Sequence, residues 1–299
     1  MQGKRSAPWD ASATFPNLTA LPMDPASTKV ETSPLALVRS LTAHAQLIRQ
    51  LTQREIVGRY RGSVLGLAWS FFNPLLMLVV YTFVFSVVFK AKWGLPEAQD
   101  QSGYAVILFA GMVVHGLFAE CVNRAPNLVL ANPSYVKKVV FPLETLPWIS
   151  MGAALFHTLV SVVVLLLSVW IVRGGVEPTV LWMPVILFPL VLGTMGVCWF
   201  LASMGVYLRD IGQSIGIVTT VLLFVSPVFF PVSALPARFQ TWMLLNPLTF
   251  IIEQTRNVLI WGKMPDWLGL GVYTLVSCLV AWGGFYWFQR TRKGFADVL

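Results

Sequence analysis

Arginine grips phosphate through a planar fork of parallel N–H bonds. This chain places two of them, Arg59 and Arg61, on either side of Tyr60, just before an uncharged run that ends at Phe89. At the depth of lipid headgroups such a pair would hold a lipid diphosphate. The plain alternative is that these cations anchor the inner end of a membrane span. The second chemistry-bearing set is aromatic. Trp69, Phe71, Phe72, Tyr81, Phe83 and Phe85 follow the arginines, and Phe224, Phe229 and Phe230 recur far down the chain. Apolar faces of sugars stack on such rings, so rings lining a conduit would let a polysaccharide slide without tight binding. Ordinary packing and lipid contact account for each ring singly at least as well.

Other chemistry is missing. The thirteen acidic residues form no paired-carboxylate motif that would hold magnesium and diphosphate. His44, His115 and His157 are isolated, and neither HExxH nor a phosphate-binding glycine-lysine loop occurs. Catalysis and ATP hydrolysis by this chain are therefore not expected. An ion-coupled transporter would carry acids near mid-membrane. Here only Glu120, near the end of a span, and Glu144, flanking another, come close. Energy should come from a partner on the cytoplasmic face. Cys121, Cys198 and Cys278 lack metal or redox spacing and read as small apolar residues. The net charge of +8 fits an inner-side cation excess and anionic lipid better than nucleic acid.

The elements that must position these residues follow from composition. The chain is 56% hydrophobic and 11% charged, with a mean hydropathy of +0.71. A soluble domain carries about 25% charged residues, so most of this surface faces lipid or protein. Continuous apolar runs exclude the strand alternation of a membrane β-barrel. The expected fold is all-α and membrane-embedded, with six spans at about 64–89, 104–122, 146–172, 180–206, 212–231 and 268–288. Residues 1–34 read as a disordered cytoplasmic tail without a signal segment, and residues 35–299 as the transmembrane domain. An amphipathic helix over 35–60, with Leu37, Leu41, His44, Ile48 and Leu51 on one face, is expected to lie in the membrane interface. Phe230 to Trp267, broken by prolines, reads as a re-entrant or interfacial cap. Of the twenty-one Lys and Arg, fifteen fall on the side of the termini, so both termini are expected to be cytoplasmic.

On that side the loop from Asn123 to Ser150 stands out. Asn132-Pro133 stops one short helix and starts another. Tyr135, Val136, Val139, Val140 and Phe141 supply an apolar face, and Lys137 and Lys138 a charged one. Such a helix fits a groove on a partner or anchors the loop at the membrane. Arg209 and Asp210, at the tip of a tight hairpin, are a second contact or are simply solvated.

These residues resemble those of the membrane subunit of polysaccharide ABC exporters, the type-2 family that includes O-antigen, capsule and teichoic acid permeases. The resemblance rests on REIVGRYRGSVLGLAWSFFNPLLML (Arg54–Leu78), NPSYVKKVVFPLETLP (Asn132–Pro147), YLRDIG (Tyr207–Gly212), SPVFFPVSALP (Ser226–Pro236) and LNPLTFIIE (Leu245–Glu253). It implies a six-span permease with periplasmic re-entrant helices and an interface helix acting as a gate. It implies pairing with a second copy and docking of two ATP-binding cassette subunits that carry ATP and magnesium, with no cofactor in this chain. Asn132, Pro133, Tyr135, Lys137, Lys138 and Phe141 would form the coupling element. In the O-antigen branch the cargo is a glycan on undecaprenyl diphosphate, exported across the inner membrane of a Gram-negative cell. Capsule or teichoic acid export, a drug or small-lipid exporter on the same scaffold, and a membrane polyprenyl transferase are the alternatives.

Overall fold

The computed structural model describes residues 33–89, 93, 101–137, 141–243 and 245–299, and among them no strand occurs. The expected tail lies outside these residues apart from Ser33 and Pro34, and Lys138 lies outside them too. Among the described residues five helices are long and apolar enough to cross a membrane, over Gly66–Phe85, Gly103–Arg124, Leu143–Arg173, Pro178–Tyr207 and Trp267–Val298. The expected fifth span, 212–231, is corrected to a helix over Ile211–Val225 of 15 residues. At 1.5 Å per residue that is about 22 Å, short of a hydrocarbon core of about 30 Å. Pro227 ends it, because the residue before proline is driven out of the helical region. Ser226 is accordingly extended, at φ −82 and ψ 154.

The chain opens with α1 (Pro34–Ala43) and α2 (Ala45–Tyr60). The single helix expected over 35–60 is thus broken at His44, whose φ of −110 leaves the helix and whose ring Nδ1 lies 3.0 Å from the Ser40 carbonyl. The expected apolar face is nonetheless the half-buried one, but it meets protein: Leu37, Ile48 and Leu51 pack on the core. Next come α3 (Trp69–Tyr81), a π-helical stretch (Thr82–Val88), α4 (Gln101–Arg124), the short α5 (Asn127–Leu130) and α6 (Pro133–Lys137), α7 (Leu146–Arg173) and α8 (Met183–Tyr207). After α9 (Ile211–Val225) follow α10 (Ala237–Met243), α11 (Thr249–Leu259), α12 (Trp267–Thr291) and α13 (Phe295–Val298).

Small residues set the packing of α8 on α12. Ser277, Ala281 and Gly284 face Gly193 and Gly196 so closely that a Cβ on Gly284 would strike the Gly196 carbonyl, and one on Gly196 the backbone of Val280. Lipid tails are as apolar as leucine, so close backbone approach, not hydrophobicity, holds membrane helices together. The two helices run in parallel, since Ser203 meets Thr291 at 2.7 Å and the Tyr207 hydroxyl donates to the Thr291 carbonyl at 2.9 Å. Pro126 packs on Gly205, and Arg292 pairs with Glu144 at 2.7 Å. The α4–α7 loop, the α8–α9 hairpin and the C-terminus therefore gather at one end of the bundle. The Arg124–Glu55 ion pair brings α2 to the same end.

The segment 230–267 is not peripheral along its length. Its helix α11 is buried against α4 and α8, with Ile251, Ile252, Thr255 and Val258 inside. Cys121 and Cys198 are buried, whereas Cys278 is exposed on the outer side of α12.

Candidate functional site

At the junction of α2 and α3 the chain must turn sharply. Gly62 supplies a φ of +85, a conformation that side chains resist. Beyond the turn, Ser70, Asn73, Met77 and Tyr81 recur at helical spacing and line a cavity of about 640 Å³. Pro74, also on that wall, has no N–H for the Ser70 carbonyl. Helix α4 closes a second wall with Met112, Gly116 and Glu120, and α7 a third with His157, Thr158 and Ser161.

A charged network sits at the mouth of this cavity. Arg59 Nη1 donates to Glu120 Oε1 at 2.5 Å, and His157 Nδ1 lies 2.9 Å from the same oxygen. The Tyr60 hydroxyl lies 3.1 Å from His157 Nε2. One proton arrangement satisfies these partners: Nδ1–H donates to Glu120, and Nε2 accepts from Tyr60. The 2.9 Å approach of Arg59 Nη1 to Nδ1 is then a contact and not a third hydrogen bond. Burial raises the Tyr60 pKa above its ordinary value, with Arg59 acting in the opposite sense, so the hydroxyl is a donor at neutral pH. Three helices, α2, α4 and α7, thus meet on one carboxylate.

The structure separates the residues singled out in sequence. Arg59, Trp69 and Tyr81 line the cavity, but Arg61 does not, and it forms no ion pair among the described residues. Its extended backbone at the end of α2 carries it away from Glu120 and into exposure. Tyr81 leads from the cavity into a row of rings. Phe85 is 6.5 Å from Tyr81 and stacks on Phe229 at 5.8 Å, and Phe229 stacks on Phe224 at 5.5 Å. Tyr104 stacks on Phe85 at 5.9 Å and donates to the Phe229 carbonyl at 2.5 Å. The expected conduit rings Phe71 and Phe72 lie off this row: they pack edge-on against each other at 6.4 Å and are exposed. Helical geometry turns them away from the face that carries Ser70, Asn73 and Met77. Phe230 has no ring contact among the described residues.

Sequence reasoning missed Arg256, one of the Lys and Arg on the side opposite the termini in the charge count. It is 1% exposed. Its guanidinium donates to the carbonyls of Ile107, Pro227 and Val228 at 3.1, 2.5 and 3.0 Å. It pairs with Glu253 at 3.2 Å and lies 4.4 Å from the Trp93 ring. Burial lowers its pKa to about 10, so it is still a cation at neutral pH. Two of these carbonyls, those of Pro227 and Val228, lie in the segment that follows α9 and leads to Phe229. Asn246, in the LNPLTF run, adds a bond from its amide to the Ser226 hydroxyl at 2.9 Å.

The expected coupling residues lie at the end where the loops gather. The Asn132 side chain donates to the Leu128 carbonyl at 2.9 Å and closes the turn between α5 and α6. Tyr135 stacks on Phe141 at 4.3 Å, and Pro133 and Lys137 bound the exposed α6 between them. Arg209 and Asp210 are exposed at the hairpin tip, and Asn127 of α5 lies against Gly212 just beyond it. Among the described residues no group of His, Cys, Asp and Glu is placed to hold a metal ion.

A family model described as ABC-2 type transporter matches residues 46–260. The chain is 28% identical to the O-antigen export system permease protein RfbA of Myxococcus xanthus, over 89% of this chain and the whole of that protein. It is 24% identical to the protein of the same name in Klebsiella pneumoniae, over 85% of this chain and 95% of the relative. It is 23% identical to the polysialic acid transport protein KpsM of Escherichia coli, over 81% and 92%.

Proposed function

The chain belongs to the ABC-2 type transporter family, and from that premise we propose that it is the membrane subunit of an ATP-driven exporter of lipid-linked polysaccharide. The observation that carries the reading is the cavity at the α2–α3 junction, where an arginine-held anion position adjoins a row of aromatic rings. A lipid diphosphate would enter at Arg59, and the glycan would pass along Tyr81, Phe85, Phe229 and Phe224. Similarity to two O-antigen permeases over most of their length favours O-antigen on undecaprenyl diphosphate as cargo. Similarity to a polysialic acid transport protein supports a capsule-type glycan as the second reading.

In this proposal the chain crosses the inner membrane six times, α9 and the residues after it making the fifth crossing, with α10 and α11 entering from the periplasm. Both termini are cytoplasmic. Two copies pair along the exposed faces of α3 and α9, and two ATP-binding subunits, which bring ATP and magnesium, dock on α5, α6 and the Arg209–Asp210 tip. Closure of those subunits would push α6 and shift α3 and α9 apart from their counterparts.

The test is co-purification with the ATPase encoded beside this chain, followed by ATP hydrolysis and surface glycan display with Tyr135, Lys137, Lys138 and Phe141 replaced by alanine. Loss of display with a weakened or uncoupled complex is expected. Unchanged display with no ATPase bound would end the exporter reading in favour of a polyprenyl transferase.

A further inference from the structure

The Glu120 carboxylate is an unusual tenant for the mouth of a membrane cavity. Ionisable groups at such depth are costly and serve a purpose. Its side chain is 19% exposed, and one of its oxygens is held by donors from two other helices, Arg59 Nη1 and His157 Nδ1. A phosphate oxygen asks for the same donors at the same distances. The carboxylate oxygen thus marks where a phosphate oxygen would sit, and the adjoining space has room for a diphosphate. Two anions cannot share that position, since like charges at contact distance repel strongly outside bulk water. Occupation by one excludes the other.

We propose that Glu120 is the resident anion of this site, and that a lipid-borne diphosphate entering the cavity displaces its carboxylate from Arg59 and His157 and takes over both donors. This rests on the lipid-diphosphate reading above and adds to it the group that must leave. The displaced carboxylate has a cation within reach: Arg124 lies one turn on along α4, where it pairs with Glu55 of α2. Loading therefore frees α4 from Arg59 of α2 and from His157 of α7, while the Arg124–Glu55 pair still ties α2 to α4. Glu120 is a specificity-determining residue in this scheme, because it sets the threshold an anion must exceed. A neutral lipid alcohol cannot dislodge it.

The experiment uses the full chain with its ATPase subunit in zwitterionic nanodiscs, with farnesyl diphosphate, inorganic diphosphate and farnesol as probes in equilibrium binding. Glu120→Gln is expected to bind farnesyl diphosphate about tenfold tighter, the scale of one charge-assisted bond that no longer has to be exchanged. Arg59→Ala should bind it about tenfold more weakly on the same scale. Should Glu120→Gln fail to fold, Glu120→Asp, whose shorter arm reaches the donors less well, should still gain affinity. If neither Glu120 variant gains affinity while Arg59→Ala loses it, the displacement is overturned and the lipid-diphosphate reading stands. If Arg59→Ala binds like the wild type, both fall. Farnesol binding as tightly as farnesyl diphosphate overturns the anion exchange. Inorganic diphosphate binding as tightly as the farnesyl ester overturns the lipid-borne part.

Discussion

Helices α12 and α3 are both apolar and of spanning character, yet they are held in opposite ways. Helix α12 buries Ser277, Ala281 and Gly284 against the backbone of α8. Helix α3, WSFFNPLLMLVVY, buries no residue at all. Hydrophobicity does not separate them. Size does: α12 carries a stripe of small residues that lets another backbone in, whereas α3 carries large ones that stay at most half-buried. Only half-buried Leu75, Leu78 and Tyr81 pack α3 on the core, and the helix begins just after the Arg59–Glu120–His157 network and ends in the rings around Phe229. The closely packed pair forms a frame, and α3 is the loosely packed helix that the proposed function assigns to a second copy and to cargo.

The largest effect should come from filling the frame. Gly284→Val drives a branched side chain into the Gly196 carbonyl and should cost about 3 kcal/mol or more, seen as lost monodisperse protein, while Val79→Leu on α3 leaves yield unchanged. Arg256→Met comes next. It strands the carbonyls of Pro227 and Val228, each worth about 1–3 kcal/mol when buried unpaired, and thermal unfolding should show the loss. Arg256→Lys should recover only part, since the three acceptors are met by three separate guanidinium nitrogens and an ammonium offers one.

Variants on the moving side leave folding alone and act on export. Arg59→Ala should lower glycan display about tenfold at normal permease level, the scale of one charge-assisted contact, whereas Arg61→Ala should leave display unchanged. Equal loss from both would mean that the basic collar acts as a diffuse charge and not through the cavity. Smallest are the rings. Phe229→Leu should reduce display by a few-fold, within the range of one stacking contact, and Phe71→Leu should not.

Much of this layout was legible in the chain. Uncharged runs marked the long helices, the spacing of Leu37, Ile48 and Leu51 marked the packed face of α1 and α2, and Asn132-Pro133 marked the break between α5 and α6. What stayed hidden depends on distant partners. Glu120 and His157 belong to different helices, and no local pattern joins them to Arg59. In sequence Arg256 is only one cation in a charge tally, and a tally cannot tell a side chain that faces water from one that binds carbonyls inside. Of two arginines two residues apart, the turn at Gly62 decides which reaches the cavity. The length of α9 was overread because the apolar run continues through Ser226-Pro227, where the backbone stops being helical.

The most direct test of the account is export itself: vesicles holding this chain and its ATPase subunit, loaded on the ATPase side with lipid-linked glycan, and assayed for glycan on the opposite face. The account predicts transfer that requires ATP, requires this chain, and falls with Arg59→Ala while Arg61→Ala transfers normally. Transfer that proceeds without the ATPase subunit, or that is indifferent to Arg59, would contradict it.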